Sequence, residues 1–269
     1  MKLGIGTYTY MWSIGFSGAE PEVPMRALDL LKKAAEMGVK VVQFGPNLPL
    51  LEMSPAELGE VLSASREMNI ELEIGTRGVE TPHLRRLIDF TVRCGASLLR
   101  TVPEIDGRVP ASGELTELLR AIEPHLRQAG VRLALENSLM RASAMSEALR
   151  ECDSEHLGIT LDTVNSLAIP EGTEEVAKAL ARWTCCLHVK DFAVMREWHM
   201  MGFRVEGRPA GQGQLNVPRL LELLHSADAN CNAILELWPP PQASLRETIA
   251  LERQWAEESV TYLRTLIKE

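Results

Sequence analysis

Aromatic side chains, paired cysteines and positive charge are all scarce in this chain of 269 residues. Aromatic residues account for only 5% of it, and the five cysteines show no CxxC spacing. An odd number of cysteines without that spacing disfavours both a disulfide framework and a zinc–thiolate site. The formal net charge of −9 argues against nucleic-acid binding, which depends on clustered Lys and Arg side chains. We therefore expect reduced thiols and no nucleic-acid partner.

Long apolar runs are also missing. No stretch approaches the roughly 18 to 20 apolar residues that a membrane-spanning helix needs. The first residues resemble the start of a strand, without the charged and apolar regions of a signal peptide. The hydrophobic share of 45% and the charged share of 24% are typical of a globular domain. We expect a cytoplasmic protein that has no membrane partner.

Short apolar segments with strand character recur eight times and alternate with amphipathic helical patterns. In the helical patterns, such as residues 25–37 and 115–129, apolar residues fall at positions i, i+3, i+4 and i+7. The predicted strands are 3–7, 39–44, 71–74, 98–102, 132–136, 158–162, 185–188 and 233–236. Eight such repeats in a chain of this length predict an α/β fold, a single (β/α)₈ TIM barrel domain spanning residues 1–269.

The alternative with the same alternation is a doubly wound open sheet that binds a dinucleotide. Its first strand would lead into a GxGxxG turn, whereas Gly4-Ile5-Gly6 continues here as Thr7-Tyr8. The helix start and stop signals agree with the barrel. Ser54 precedes Pro55, as an N-cap residue precedes a proline at the first helical position. Gly38 and Gly130 fall where a helix should end before the next strand. These signals favour the barrel.

Each of the last four predicted strands ends on a side chain that can bind a metal: Glu136, Asp162, His188 and Glu236. The first three are evenly spaced, 26 residues apart. In a barrel, the carboxyl ends of all strands meet at one mouth, so these side chains would converge. A single acidic residue at such a position usually is solvated or caps a helix, but four on consecutive strands predict a site. An oxygen-rich set suits Mn²⁺, our first choice, or Mg²⁺ or Co²⁺ better than Zn²⁺.

Five short motifs resemble the xylose isomerase-like superfamily of TIM barrels, which includes ketose 3-epimerases, sugar-phosphate isomerases, inosose dehydratases and, more remotely, endonuclease IV. The motifs are Leu135-Glu136-Asn137, Leu161-Asp162-Thr163, Leu187-His188-Val189-Lys190-Asp191, Gly211-Gln212-Gly213-Gln214-Leu215 and Leu235-Glu236-Leu237. The resemblance spans nearly the whole chain. It implies that Glu136, Asp162, His188 and Glu236 ligate one divalent metal ion.

One position departs from the pattern of that superfamily. Asn165 stands three residues after Asp162, where both the endonuclease branch and the ketose 3-epimerases tend to have a histidine. Phosphodiester cleavage is therefore not expected. Asn165 remains a candidate substrate contact, and its identity leaves the substrate and the reaction open.

The expected activity is that of a metal-dependent isomerase or epimerase acting on a ketose or related keto-sugar. A divalent ion that bridges a carbonyl and its neighbouring hydroxyl would stabilise the enediolate formed when a proton leaves. Glu136 and Glu236 are then the candidate acid/base pair. The alternative is a lyase, either a dehydratase of keto-inositol type or a decarboxylase of a keto sugar acid. A third reading is a non-catalytic barrel that binds a sugar.

Further candidate contacts for a carbohydrate or sugar-acid substrate lie in two regions. The long segment 191–214 could form a lid, and it contributes His199, Arg204 and Arg208. Lys190 alternates onto the same strand face as His188. The aromatic group after the first strand contributes Tyr8 and Trp12, which could line the pocket. The amphipathic stretch 245–266 makes a homo-oligomer possible.

Overall fold

Eight parallel strands form a closed barrel in the computed structural model, which describes residues 1–268. The strand order around the barrel is β1-β10-β7-β6-β5-β4-β3-β2, and the prediction of a TIM barrel is confirmed. The barrel strands are β1 (Leu3–Gly6), β2 (Val41–Phe44), β3 (Glu71–Arg77), β4 (Leu98–Val102), β5 (Arg132–Glu136), β6 (Leu157–Asp162), β7 (Thr184–Val189) and β10 (Asn232–Leu235).

Helices follow the barrel strands, and they include most of the predicted pattern 25–37 and all of the predicted pattern 115–129. Within the described residues they are α1 (Met11–Ile14), α2 (Ala27–Glu36), α3 (Pro55–Glu67), α4 (Thr81–Arg93), α5 (Ser112–Ala129), α6 (Ala142–Cys152), α7 (Thr173–Leu180), α8 (Val217–Ser226) and α9 (Leu245–Leu266). None of the helices in residues 1–268 is both long and apolar enough to cross a membrane.

The predicted helix boundaries have identifiable local causes. The Ser54 side chain caps α3 by accepting a hydrogen bond from the Glu57 backbone N–H, and Pro55 occupies the first helical position. Gly130 ends α5 in the left-handed conformation, at φ 65°. These helix ends determine where the connection to the next strand begins.

The segment between β7 and α8 contains a two-stranded antiparallel hairpin outside the barrel, made of β8 (Asp191–Arg196) and β9 (Phe203–Arg208). Asp191 is buried and anchors the base of this segment. Its carboxylate accepts backbone hydrogen bonds from Phe192, Gly211, Gly213 and Leu215, at 2.8–3.0 Å. The predicted long segment is therefore an ordered hairpin, and its role as a lid stays a prediction.

Two compact units are distinguished by their internal contacts. The first consists of residues 1–70, 188–218 and the chain from Ala233 onward, and includes β1, β2, β10, the hairpin and α9. The second consists of residues 71–187 and 219–232, and includes β3 to β6 with α4 to α7. The assignment of residues 1–269 to a single domain stays a prediction.

Candidate metal centre

In the second unit, the carboxyl ends of β5 and β6 carry two buried carboxylates. Glu136 is 1% exposed and Asp162 is 2% exposed. The parallel register pairs Glu136 with Thr160, so Asp162 lies two residues further along the neighbouring strand. Since residues i and i+2 of a strand share a face, Thr160 and Asp162 project to the same side of β6.

Basic and amide groups from neighbouring elements engage the Glu136 carboxylate. Arg100, which is buried inside β4, forms an ion pair with Oε2 of Glu136. The guanidinium of Arg100 also donates to the backbone carbonyl of Thr76, at 3.2 Å. The side-chain amide of Asn165 donates to Oε1 of Glu136 at 2.7 Å. Both oxygens of Glu136 thus have fixed positions, and Asn165 lies beside a predicted ligand.

Asp162 is oriented by the loop that follows it. Its Oδ1 atom accepts hydrogen bonds from the backbone N–H groups of Val164 and Asn165, both at 2.8 Å. The Asn137 side chain bonds to the backbone of Asp162 on both sides, accepting from its N–H and donating to its carbonyl. These bonds fix the position of the Asp162 carboxylate.

In the first unit, His188 at the end of β7 and Glu236 after β10 are also buried. The Nε2 atom of His188 lies 2.9 Å from Oε1 of Gln43, at the end of β2. Because an amide oxygen only accepts, Nε2 is the donor in this contact. Nδ1 lies 3.2 Å from Oε1 of Glu236, and Lys190 pairs with the other oxygen of Glu236 at 2.7 Å.

Three of the four predicted ligands form a group suited to a cation. One ligand atom each from Glu136, Asp162 and His188 lies within 4.8 Å of the other two, and all three residues are buried. Atoms that share one divalent ion lie about 2.0 to 2.6 Å from it, so such spacings are compatible with a common ion. Two carboxylates and one imidazole match the donor set of a divalent metal, and Glu236 lies 3.2 Å from Nδ1 of that imidazole.

The candidate contacts in the hairpin interact with other residues of the hairpin. His199 is exposed at the hairpin turn and accepts a hydrogen bond from the Met201 N–H. Arg204 is exposed and pairs with Glu206 at 2.9 Å. Arg208 is half-buried and pairs with the same carboxylate at 3.2 Å. Their roles in substrate binding stay predictions.

The aromatic candidates follow β1. Tyr8 is half-buried, and its backbone carbonyl accepts a hydrogen bond from the N–H of Leu237, the residue after Glu236. The Trp12 ring packs on Phe16, with ring centroids 5.1 Å apart. The backbone N–H of Trp12 donates to the buried carboxylate of Glu252 on α9, at 2.7 Å. Tyr8 is thus linked to the chain beside Glu236, and Trp12 to α9.

Burial raises the pKa of the Glu252 carboxyl to about 7, although hydrogen bonds from Ser13 and Trp12 favour its charged form. Burial likewise raises the pKa of the Cys185 thiol to about 11. All five cysteines are free, in agreement with the expected reduced thiols.

Two residues that support the site were not predicted from the sequence: Gln43 and Arg100. Gln43 is the polar residue within the apolar segment Val41-Val42-Gln43-Phe44, and Arg100 interrupts Leu98-Leu99-Arg100-Thr101-Val102 in the same way. A buried polar side chain within an apolar strand needs a partner, because burial without one costs free energy. The sequence pattern therefore indicates that both side chains have a polar partner, but it does not indicate which residue the partner is.

Comparison with known proteins shows the family. Residues 31–266 match the family model described as xylose isomerase-like TIM barrel. The chain belongs to this family. It is also 33% identical over 266 residues to the 3-oxo-isoapionate decarboxylase of Pectobacterium atrosepticum, which covers 98% of this chain and 96% of that protein.

Solved structures resemble this member of the xylose isomerase-like family in fold alone. The D-psicose 3-epimerase of Clostridium cellulolyticum H10 superposes with a TM-score of 0.74 at 14% identity, over 100% of both chains. The probable 3-DHS dehydratase of Bacillus anthracis gives a TM-score of 0.70 at 16% identity, over 98% of both chains. Relatives with these names are enzymes, and they include a decarboxylase, an epimerase and a dehydratase.

Proposed function

We propose that this protein is a divalent-metal-dependent lyase that decarboxylates a 3-oxo sugar acid. The observation that carries the proposal is that both glutamates of the predicted acid/base pair face a cationic side chain. Glu136 pairs with Arg100, and Glu236 pairs with Lys190. A carboxylate that already neutralises a cation is poorly suited to removing a proton from carbon. Loss of carbon dioxide requires no such base. The similarity to a decarboxylase over nearly the whole chain supports the same reaction.

Glu136, Asp162, His188 and Glu236 are the residues that would hold the metal ion, with Mn²⁺ as first choice and Mg²⁺ or Co²⁺ as alternatives. When bound, the ion would supply a Lewis acid for the substrate's oxygen atoms. Arg100 and Asn165 keep the Glu136 carboxylate in place, and Gln43 keeps the ring of His188 in its orientation. Such preorganisation reduces the reorganisation that the reaction would otherwise require.

In the proposed reaction, the bond between the carboxylate carbon and its neighbour breaks and carbon dioxide leaves. The electron pair of that bond moves towards the adjacent ketone, and the carbon that lost the carboxylate then takes up a proton. The Nζ atom of Lys190, 2.7 Å from Glu236, is our candidate donor of that proton. The product is a ketone with one carbon fewer.

Isomerisation or epimerisation of a ketose is the second candidate. It is favoured by the presence of both Glu136 and Glu236, because two carboxylates could remove a proton from one position of a sugar and return it at another. An isomerase leaves the mass of its substrate unchanged, whereas a decarboxylase does not.

The test is to incubate the purified, Mn²⁺-loaded protein with 3-oxo-isoapionate and, separately, with a panel of ketoses in deuterated water. We expect carbon dioxide release and a product that carries one carbon-bound deuteron from the 3-oxo acid. A product of unchanged mass apart from deuterium would instead establish the isomerase. If neither the 3-oxo acid nor any ketose is converted, the non-catalytic sugar-binding barrel remains as the explanation.

Variants then test the proton donor. Lys190→Met should lower turnover at least about a hundredfold, within the usual range for loss of a general acid. Lys178→Met is the matched control, because Lys178 is an exposed lysine on α7 that pairs with Glu174. Equal activity in the two variants would refute the role of Lys190.

A further inference from the structure

The β8–β9 hairpin concentrates the exposed apolar surface of the molecule. Twelve large apolar side chains are exposed in the described part of the chain, and six of them belong to residues 194–205. Trp198 is 90% exposed and Phe203 is 66% exposed. Clusters of exposed apolar side chains usually mark a surface that another molecule covers. The six residues are Val194, Trp198, Met200, Met201, Phe203 and Val205.

The two edges of this hairpin differ in whether their backbone groups are covered. The edge of β8 is covered at Val194, whose N–H donates to Oε1 of Gln214 and whose carbonyl accepts from Nε2 of the same side chain. β9 has β8 as its only strand neighbour within residues 1–268. In an antiparallel pair only alternate residues bond to the neighbour, so the other backbone groups of β9 point outward. An edge of this kind can accept a further strand.

We propose that β9 pairs with the β9 strand of a second copy of this chain, forming a four-stranded antiparallel sheet about a two-fold axis. A two-fold axis perpendicular to the sheet keeps each face on the same side. Residues that lie opposite each other must then project from the same face, so only a few registers are possible. With Val205 at the centre, Arg204 lies opposite the partner's Glu206, and Glu206 lies opposite the partner's Arg204. Two pairs of opposite charge then face each other across the axis.

The neighbouring registers are disfavoured by charge. A shift in one direction places Arg204 opposite the partner's Arg204, and a shift in the other places Glu206 opposite the partner's Glu206. Like charges directly opposite each other destabilise a sheet. The charge order along β9 therefore selects one register, and this complementarity identifies a second copy as the partner.

The same register gives the apolar residues a partner. Val194 lies opposite Val205 in the hairpin, and both side chains are exposed. When the two β9 strands pair with Val205 at the centre, Val194 and Val205 of one copy form a continuous row with Val194 and Val205 of the second copy. Phe203 lies opposite the partner's Gly207, which is buried and packs against Trp238 of its own chain.

Two charge reversals test the proposal on the full-length protein by sedimentation velocity over a range of concentrations. The wild type should form a dimer. Arg204→Glu and Glu206→Arg should each raise the dissociation constant by about tenfold or more, because each creates two pairs of like charge across the axis. An equimolar mixture of the two variants should recover dimers, because each pair is again of opposite charge in the mixed dimer.

The mixing step separates pairing between copies from damage within one copy. Each reversal also removes the pairing of Arg204 with Glu206 in its own hairpin, and mixing does not restore that contact. A monomeric wild type, wild-type dimerisation in both variants, or no recovery on mixing would each overturn the proposal.

A second pair of variants tests the apolar row. Val205→Lys should weaken the dimer, whereas Val92→Lys on α4 should leave it unchanged, because the two valines are similarly exposed, at 47% and 48%. Equal effects of the two substitutions would contradict an interface centred on Val205. Circular dichroism of each variant verifies that the fold is retained.

Discussion

At the scale of single residues, the predicted ligands depend on side chains that contribute no ligand atom. The imidazole of His188 could rotate about its side-chain bonds, and the hydrogen bond from Nε2 to Gln43 fixes its orientation. Ligand histidines in metalloproteins commonly have such a partner on the other ring nitrogen. Gln43 is therefore as much a part of the proposed centre as the ligands are.

Replacement of Gln43 by leucine should weaken metal binding by about 10- to 100-fold, because the histidine loses its fixed orientation. Isothermal titration with Mn²⁺ measures the change. His188→Ala, which removes the proposed ligand itself, should have a larger effect. Unchanged affinity in Gln43→Leu would show that the ring is held by other contacts.

Removal of the positive charge of Arg100 should destabilise the fold. Arg100→Met leaves the buried Glu136 carboxylate without its cation, and breaking a buried ion pair on one side costs about 3–5 kcal/mol. Urea unfolding of the metal-free protein measures the loss. The double variant Arg100→Met/Glu136→Gln should recover part of it, since the uncompensated charge is then gone. A double variant as unstable as the single one would show that packing, rather than charge, dominates.

The ligand set and its supports differ in how far the sequence could predict them. Glu136, Asp162 and His188 were predicted because each ends an apolar strand at a regular interval, and their ligand atoms do lie together. Gln43 and Arg100 lie within strands that are otherwise mostly apolar. Their partners are set by the barrel register, which one strand's sequence does not encode.

At the scale of helices and strands, Glu252 links α9 to the first short helix. Its carboxylate accepts hydrogen bonds from the Trp12 and Ser13 backbone N–H groups and from the Ser13 hydroxyl. Burial raises the pKa of this carboxyl from its ordinary value of 4.5 to about 7. Because the folded state then holds its proton more tightly than the unfolded chain, the contribution of Glu252 to stability is greatest below pH 4.5 and is lost as the pH rises to 7.

The free energy of unfolding should therefore depend more steeply on pH in the wild type than in Glu252→Gln, which has no titrating carboxyl. The difference should amount to about 3 kcal/mol between the ordinary and the raised pKa. Urea unfolding of both proteins from about pH 4 to about pH 8 provides the comparison. Parallel pH profiles would mean that the carboxyl titrates normally in the folded state.

The hairpin was the element least accessible to prediction. Its turn contains Trp198-His199-Met200-Met201-Gly202, which lacks the short Asn-Gly or Asp-Gly signal of a tight hairpin. The anchor at Asp191 depends on N–H groups up to 24 residues further along the chain, and such long-range contacts are not visible in local sequence patterns. A long loop was the natural interpretation.

At the scale of the whole molecule, ligation of one ion by several strands should couple metal binding to folding. A ligand that binds only the folded chain stabilises it by about 2.7 kcal/mol when its concentration is a hundred times its dissociation constant. Thermal unfolding with and without Mn²⁺ should show this increase, and EDTA should reverse it. The increase should be much smaller in His188→Ala but unchanged in His225→Ala, which alters an exposed histidine on α8. Equal shifts in both variants would place the ion elsewhere.

The sequence predicted the barrel more completely than the reaction. Eight alternating strand and helix patterns determine the architecture, because each repeat carries its own periodicity and boundaries. Our proposal for the reaction rests on which charges face Glu136 and Glu236, and these contacts form only in three dimensions. The sequence favoured an isomerase, whereas our proposal of a lyase rests on the contacts with Arg100 and Lys190.

The side chain of Gln214 also determines how large an assembly built through the hairpin can become. A hairpin with two open edges can add copies on both sides, and such growth has no end point, as in fibres. Gln214 occupies the backbone groups of Val194 on one edge, as a neighbouring strand would. In the proposed dimer only one edge would then remain for addition, so growth would stop at two copies. Gln214 would thereby protect the protein from open-ended polymerisation.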